Sequence, residues 1–214
     1  MTGKFITLEG IDGAGKSTQA ERLAEVLRAS GNTVVSVRDP GTTSLAERVR
    51  GILLDRTVTG VDPMAELMLY LACRAQLVGE VVRPALAAGS IVISDRYADS
   101  SVAYQGYGRE LGANVVRQSN ALATGNLRPD LTLVIDIPVE ITKDRMNGKI
   151  ADRLESEKRS FHERIRNGFL EIAKDEPERV IVIDGTRTPD EVHADIVRVV
   201  SKRFPDIISG DVVR

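Results

Sequence analysis

Eight residues near the start of the chain have the types and spacing of a loop that binds phosphate groups. They run Gly10-Ile11-Asp12-Gly13-Ala14-Gly15-Lys16-Ser17, which fits GxxxxGKS, and they follow the apolar run Phe5-Ile6-Thr7-Leu8, typical of a buried strand. The glycines let successive N–H groups turn toward a polyanion at the start of a helix, predicted over 19–29. Lys16 is expected to reach the β- and γ-phosphates, and the Ser17 hydroxyl to bind Mg²⁺. The strand and helix on either side disfavour the alternative, a glycine-rich turn without a ligand.

A second group of chemically capable residues follows a predicted strand at 90–94. Asp95 comes where that strand ends and is our candidate for a carboxylate that holds Mg²⁺ or its water shell. Arg96 beside it could donate two hydrogen bonds to phosphate oxygens. The alternative is an Asp–Arg pair with a purely structural role. The side chains of Ser101, Tyr104 and Gln105 could read a base or a sugar, although their spacing alone is weak support.

A predicted helix over 67–77 places Tyr70 and Arg74 four residues apart on one face. A flat ring and a planar cation there could stack on a base and hydrogen-bond its edge. Periodicity alone favours a different interpretation, an amphipathic core helix with Arg74 on the surface. A site for a structural transition metal is not predicted, because the histidines are isolated and Cys73 has no partner at ligand spacing.

Composition limits the class of protein. The 214 residues are expected to form one domain, and 29 basic against 31 acidic residues without like-charged blocks argue against a nucleic-acid or membrane-surface partner. No apolar run is long enough for a bilayer. A single cysteine and the absence of a signal peptide before the first strand favour the cytoplasm.

The elements that must position these residues alternate between strand and helix. Apolar, β-branched runs recur at 33–37, 90–94, 131–137 and 180–183, in addition to the first strand. Continuous apolarity indicates strands buried on both faces, so the prediction is an α/β fold with a five-stranded parallel sheet flanked by helices on both faces. Ligands should gather at the carboxyl ends of the strands. The charged stretch 142–166 is interpreted either as a mobile flap, with a LID at about 143–160, or as a solvated helix pair, which charge alone favours.

Taken together, these motifs resemble the bacterial thymidylate kinases, a family of P-loop NTPase fold, over nearly the whole chain. The segments that carry the resemblance are the strand and phosphate loop, 38–42, 45–50, 69–74, 95–106, 128–132 and 152–155. The resemblance implies transfer of the γ-phosphoryl group of ATP to dTMP with Mg²⁺, in a single domain spanning 1–214 that forms a homodimer. Leu67 to Val82 is a candidate interface. Three positions depart from the family pattern: Tyr70 replaces phenylalanine, Thr42 replaces glycine, and Asn147 stands where arginine is expected.

The resemblance also implies a role for each matched position. Arg50 and Arg96 would hold the dTMP phosphate, Arg74 would bind the thymine edge and Tyr70 would stack on it. The dTMP set is Asp12, Asp39, Pro40, Arg50, Tyr70, Arg74, Arg96, Ser101, Tyr104 and Gln105. The ATP set is Gly10, Ile11, Asp12, Gly13, Ala14, Gly15, Lys16, Ser17, Thr18, Arg145, Asp184 and Thr186. The catalytic set is Asp12, Lys16, Arg96 and Arg153, and the Mg²⁺ set is Ser17, Asp12 and Asp95. Among these, Arg153 would be the transition-state arginine and Tyr104 would exclude a 2′-hydroxyl.

Two alternatives stay open at this point. One is another nucleoside or nucleoside-monophosphate kinase, which its acceptor would distinguish. The other is a nucleotide switch of the P-loop class, against which the absence of a guanine-reading NKxD segment argues.

Overall fold

The chain forms a five-stranded parallel sheet with strand order β2-β3-β1-β4-β5. The structure is a computed structural model that describes residues 3–146 and 152–208. The strands are β1 (Lys4–Glu9), β2 (Val34–Arg38), β3 (Ile91–Asp95), β4 (Leu131–Asp136) and β5 (Val180–Asp184). Each paired strand runs parallel to its neighbour. The predicted α/β fold and parallel sheet are therefore confirmed.

Helices form every long connection between these strands in the described chain. They are α1 (Lys16–Ala29), α2 (Ser44–Leu54), α3 (Pro63–Leu77), α4 (Arg83–Ala87), α5 (Ala98–Ser101), α6 (Ala113–Thr124), α7 (Thr142–Arg145), α8 (Arg159–Asp175) and α9 (Pro189–Arg203). Wider, π-helical turns join α3 to α4 at Val78–Val82 and extend α5 over Val102–Gly108. Helix α3 begins where Asp62 accepts hydrogen bonds from two N–H groups of the first turn.

Both faces of the sheet are buried, as the apolar runs predict. On β1, Phe5 packs with Val92 and Tyr97 in one apolar cluster, whereas Ile6 and Leu8 belong to another. Successive side chains of a strand point to opposite faces, so Phe5 lies on one side of the sheet and Ile6 and Leu8 on the other. Right-handed crossovers place α1, which leads from β1 toward β2, on the face opposite the later connections.

The strand order fixes where a ligand can sit. The chain leaves β1 toward β2 on one side and later crosses from β3 to β4 on the other, so the connections diverge at the carboxyl ends of β1 and β3. Such a switch point opens a crevice between the loops that follow the two strands. These loops begin at Gly10 and Arg96, the two predicted site segments. Within the described residues, no helix combines the length and apolarity that a bilayer crossing requires.

Candidate functional site

The loop between β1 and α1 has the backbone of a phosphate cradle. Gly10, Gly13 and Gly15 have φ of 137°, 78° and 94°, the left-handed region that favours glycine. A Cβ at Gly10 would lie 2.4 Å from the carbonyl oxygen of Ile135, so only glycine fits against β4. The Lys16 Nζ folds back over the loop and donates to the Ile11 carbonyl at 2.9 Å. The predicted loop thus has the glycine conformations and the folded-back lysine expected of a phosphate-binding loop at the start of a helix.

A polar cavity lies over this loop. Its lining consists of Asp12, Gly13, Gly15, Lys16, Ser17, Thr18, Arg38, Asp39, Arg50, Asp95, Arg96, Arg145, Met146 and Glu155. We call it the phosphate cavity, because four arginines from four separate segments and Lys16 surround it. Gly10, Ile11 and Ala14 of the predicted ATP set form the loop without lining the cavity.

Ser17 and Asp95 form the part of the phosphate cavity that suits a divalent cation. The Ser17 Oγ donates to Asp95 Oδ2 at 2.5 Å. The other carboxylate oxygen, Asp95 Oδ1, is buried and has no hydrogen-bond partner in the described chain. An orphaned carboxylate oxygen beside a hydroxyl fits Mg²⁺, which is held by one or two protein oxygens together with substrate phosphates. Among the described residues, no cluster of three or more His, Cys, Asp or Glu is arranged to hold a metal ion.

Arg96 connects the phosphate loop to the loop after β3. Its φ is 70°, which turns its side chain away from that of Asp95 and back toward β1. Its Nη1 donates to the Gly10 carbonyl at 2.9 Å, and its Nη2 forms an ion pair with Asp12 at 2.5 Å and donates to the Tyr104 hydroxyl at 3.0 Å. Tyr104 in turn donates to Asp12 at 2.7 Å. The predicted acidic, basic and aromatic residues therefore form one hydrogen-bonded group.

A second cavity adjoins this group. It is lined by Asp12, Asp39, Pro40, Arg50, Leu54, Tyr70, Arg74, Arg96, Ser100, Ser101, Tyr104, Gln105, Asp152 and Leu154. We call it the nucleoside cavity. All ten residues of the predicted dTMP set are in this lining, although they come from six separate segments of the chain. The structure thus brings the set together; the individual roles stay predictions.

Arg74 corrects the interpretation that periodicity favoured, because it is buried and not on the surface. Its side chain is 1% exposed and pairs with Asp39, with 2.5 Å between Nε and Oδ2. Its Nη1 donates to Ser101 at 2.9 Å and to the amide oxygen of Asn120. The partners lie on other elements, so no pattern within α3 could reveal them. Its fixed guanidinium is a wall of the nucleoside cavity.

The charge states in the site follow from burial and from its dense cations. Burial and, to a smaller extent, the nearby Asp99 carboxylate raise the pKa of Glu9 to about 8. Burial also lowers the pKa of Lys16, to about 8, with repulsion from Arg96 adding to the effect. For Asp12, burial opposes ionisation, but the cations Arg96 and Lys16 outweigh it and hold the pKa well below its usual range. Asp12 is consequently ionised at neutral pH.

Arg153, predicted to be catalytic, lies outside both cavity linings. Its Nη1 pairs with buried Glu66 at 2.8 Å, and its Nε donates to the Leu53 carbonyl at 2.9 Å. Its predicted role as a transition-state cation stays a prediction. In the described geometry, it fastens the turn at 152–157 to α2 and α3.

The two segments predicted to bind adenine contact each other, although of these predicted residues only Arg145 lines the phosphate cavity. The Arg145 Nη2 donates to the Gly185 carbonyl at 2.8 Å, between Asp184 and Thr186. The Asp184 carboxylate accepts from the Thr186 N–H at 2.9 Å and from its hydroxyl, which closes the loop after β5. Of the predicted LID, residues 147–151 lie outside the described part of the chain, and with them the departure at Asn147.

Sequence reasoning missed several residues of the two linings. Arg38 lies in the phosphate cavity and pairs with Glu47 at 2.9 Å. Its signal was its place at the carboxyl end of β2, directly before predicted Asp39. Ser100 lies within the segment 95–106 that carries the family resemblance, but the hydrogen bond that its Oγ accepts from Arg96 Nη1 at 3.0 Å was not predicted. Leu54 gave no signal, because its place depends on how α2 meets the turn at 152–157.

Comparisons with known proteins agree with this geometry. A sequence model of the family described as thymidylate kinase matches residues 8–196. A thymidylate kinase from Deinococcus radiodurans is 50% identical over 202 residues, covering 94% of this chain and 98% of the relative. One from Geotalea uraniireducens is 44% identical over 211 residues, covering 95% and 99%. The crystal structure of thymidylate kinase from Ehrlichia chaffeensis superposes with a TM-score of 0.77 at 36% identity, covering 94% of this chain and 99% of that one.

These matches extend over both cavities and most of the sheet, and they lend no support to a different kinase or to a nucleotide switch. The chain therefore belongs to the thymidylate kinase family, and the dTMP kinase predicted from its sequence is confirmed as the enzyme.

Proposed function

We propose that the nucleoside cavity binds dTMP while the phosphate cavity binds the phosphates of ATP, so that the two substrates meet at a shared wall. One observation carries this proposal: Asp12, Asp39, Arg50 and Arg96 belong to the linings of both cavities. Two phosphate groups brought together there repel each other, and the wall supplies two arginines to offset the repulsion. The acceptor phosphate of dTMP would lie on Arg50 and Arg96.

The reaction requires positioning and charge neutralisation rather than a covalent intermediate with the protein. An oxygen of the dTMP phosphate bonds to the γ-phosphorus as the bond from that phosphorus to the β,γ-bridging oxygen breaks, giving dTDP and ADP. Lys16 would hold the β- and γ-phosphates, and their negative charge would keep its ammonium protonated despite the lowered pKa. Asp12 would keep Arg96 pointed toward the acceptor through their ion pair.

Mg²⁺, when bound, would be held by Ser17 and Asp95, with Asp12 near the shared wall, and would neutralise charge on the transferring phosphates. Asp95 carries the buried oxygen that has no other partner.

Recognition of the nucleoside falls to the walls that the phosphates do not reach. Arg74 is fixed by Asp39, Ser101 and Asn120, so that it can donate to a thymine oxygen without reorganising. Tyr70 would stack on the base. The Tyr104 ring, oriented by its bonds to Asp12 and Arg96, would occupy the space of a ribose 2′-hydroxyl.

Binding of adenine is proposed for the opposite end of the phosphate cavity. Arg145 and the loop from Asp184 to Thr186 already contact each other there. A planar guanidinium suits the face of a purine.

A coupled assay of ADP release tests the proposal, with dTMP, dUMP, dCMP, dGMP, UMP and no acceptor compared under saturating ATP and Mg²⁺. We expect fast release with dTMP and little without an acceptor. Preference for another acceptor would contradict the assignment of the nucleoside cavity, and release that needs no acceptor would contradict phosphoryl transfer altogether.

We also propose that the protein forms a homodimer through α2, α3 and α6. Six of the seven large apolar side chains that are exposed in the described chain lie on these three helices: Leu45, Ile52, Met64, Met68, Val115 and Leu122. Leu122 is 87% exposed. The interface predicted at Leu67 to Val82 needs refinement, because Leu67, Leu77 and Val82 are buried within the chain itself. Helix α3 would contribute Met64 and Met68 instead.

Sedimentation equilibrium tests the dimer. Met68→Glu is expected to shift the mass toward that of a monomer, since it puts a charge on the proposed interface. Val182→Glu is the matched control, because Val182 is an exposed apolar residue of β5, away from these helices. An unchanged mass for Met68→Glu, or an equal shift for both variants, would contradict this interface.

A further inference from the structure

A buried carboxylate outside both cavities is hydrogen-bonded to a residue in the wall of the nucleoside cavity. Glu66, in the first turn of α3, is 0% exposed and is not part of either lining. It accepts from Gln105 Nε2 at 3.0 Å, from Arg109 at 3.1 and 3.2 Å, and from Arg153 at 2.8 Å. Two arginines on one carboxylate keep it ionised, because their charges and hydrogen bonds offset its burial.

An ionised carboxylate fixes which way the amide of Gln105 points. A carboxylate only accepts hydrogen bonds, so Gln105 must present its NH₂ group to Glu66. Its carbonyl oxygen then points elsewhere. Gln105 is 1% exposed and lines the nucleoside cavity, and no donor among the described residues bonds to that oxygen. The cavity is the place where it can find one.

We propose that Glu66 is a specificity-determining positioning residue, which orients the Gln105 amide so that the nucleoside cavity presents a hydrogen-bond acceptor to the base. The inference rests on the proposed binding of dTMP in this cavity. Thymine and uracil carry an N–H at ring position 3, which such an acceptor binds. Cytosine has a lone pair there, which it repels. Discrimination between these bases thus depends on a residue that does not touch them.

The charge of Glu66 is the important variable, and Glu66→Gln changes it with little change in shape. A glutamine at 66 can donate as well as accept, so the Gln105 amide is free to turn over and present NH₂ to the base. Glu157→Gln is the matched control. Glu157 pairs with the same Arg109, at 2.5 Å, but in the described part of the chain no hydrogen bond or ion pair joins it to Gln105 or Arg153.

The experiment measures dissociation constants of dTMP, dUMP and dCMP by competition for the wild type and both variants. For Glu66→Gln, we expect dTMP and dUMP to weaken together by about tenfold, the scale of one hydrogen bond to a buried partner, while dCMP does not weaken. The ratio of the dCMP constant to the dTMP constant should then fall about tenfold. Glu157→Gln should keep the wild-type ratio. Because the constants do not depend on the active fraction, partial misfolding does not imitate this result.

An equal change for all three nucleotides in Glu66→Gln, or an unchanged ratio, would overturn the inference. Should that variant fail to fold, Gln105→Met, which removes the acceptor itself, is expected to lower the same ratio, and an unchanged ratio there would overturn the inference equally. Wild-type protein that does not bind dTMP would refute the proposed function instead, so the two failures are distinguishable.

Discussion

Replacing Arg74 by leucine should destabilise the fold even though Arg74 lines a binding cavity. The variant leaves the Asp39 carboxylate, 1% exposed, without its ion-pair partner. Breaking a buried ion pair from one side costs about 3–5 kcal/mol, which corresponds to a drop in melting temperature of roughly 6–20 °C for a chain of this size. Burial already raises the pKa of Asp39, and Arg74 opposes that rise. The lone carboxyl should take up a proton more readily, so the penalty should grow as the pH increases.

A double-mutant cycle tests this reasoning. The free energy of unfolding in urea is measured for the wild type, Arg74→Leu, Asp39→Leu and the double variant, at pH 5 and pH 8. Because removing both charges leaves no unpaired ion, we expect the double variant to recover most of the loss of Arg74→Leu. Two single losses that simply add would refute the assignment of this pair as the source of the cost. A penalty independent of pH would refute the role given to the Asp39 charge.

Three further predictions concern other parts of the site. Tyr104→Phe removes the hydroxyl that donates to Asp12. The value of kcat/KM for dTMP should fall by about ten- to a hundredfold, as expected for the loss of a hydrogen bond to a charged group. An unchanged value would show that the hydroxyl plays no part in the reaction. In the folded protein Glu9 keeps its proton up to a pKa of about 8, whereas the unfolded chain loses it near 4.5. The free energy of unfolding of the wild type, relative to that of Glu9→Gln, should therefore fall as the pH rises between these values. A difference that does not change with pH would contradict this prediction. Arg153→Ala should raise KM for dTMP, because Arg153 is paired with Glu66, which in turn holds Gln105 in the wall of the nucleoside cavity. A loss in kcat on the order of a thousandfold at constant KM would instead support the transition-state role.

The sheet was predictable because each strand carries its own signal. Apolar, β-branched residues in β1, β3 and β4 are buried on both faces, and the connections between them are long enough for helices. The ends of the strands then determine which loops meet. This reasoning reached the phosphate loop, Asp95 and Arg96 without any knowledge of tertiary contacts.

Contacts between distant segments set the limit of sequence reasoning. The burial of Arg74 depends on Asp39, 35 residues away, and on Asn120, 46 residues away. Nothing within α3 distinguishes an arginine with such partners from one in water. The bond from Arg153 to Glu66 is hidden in the same way, because the motif at 152–155 fixes the residue type but not its partner.

The left-handed backbone of Arg96 separates the work of two neighbouring residues. In an ordinary extended strand, successive side chains already point to opposite faces. The φ of 70° at Arg96 additionally turns its side chain back to the loop after β1, while Asp95 stays beside Ser17. Two residues joined by one peptide bond therefore face the proposed sites of both substrates, ATP and dTMP. The distance between the metal-binding carboxylate and the phosphate-binding guanidinium is thus fixed by the backbone, even where the surrounding loops change. A non-glycine residue in this conformation costs roughly 1–3 kcal/mol of stability. Selection for turnover would keep such a residue despite that cost, because it fixes the distance between the two groups.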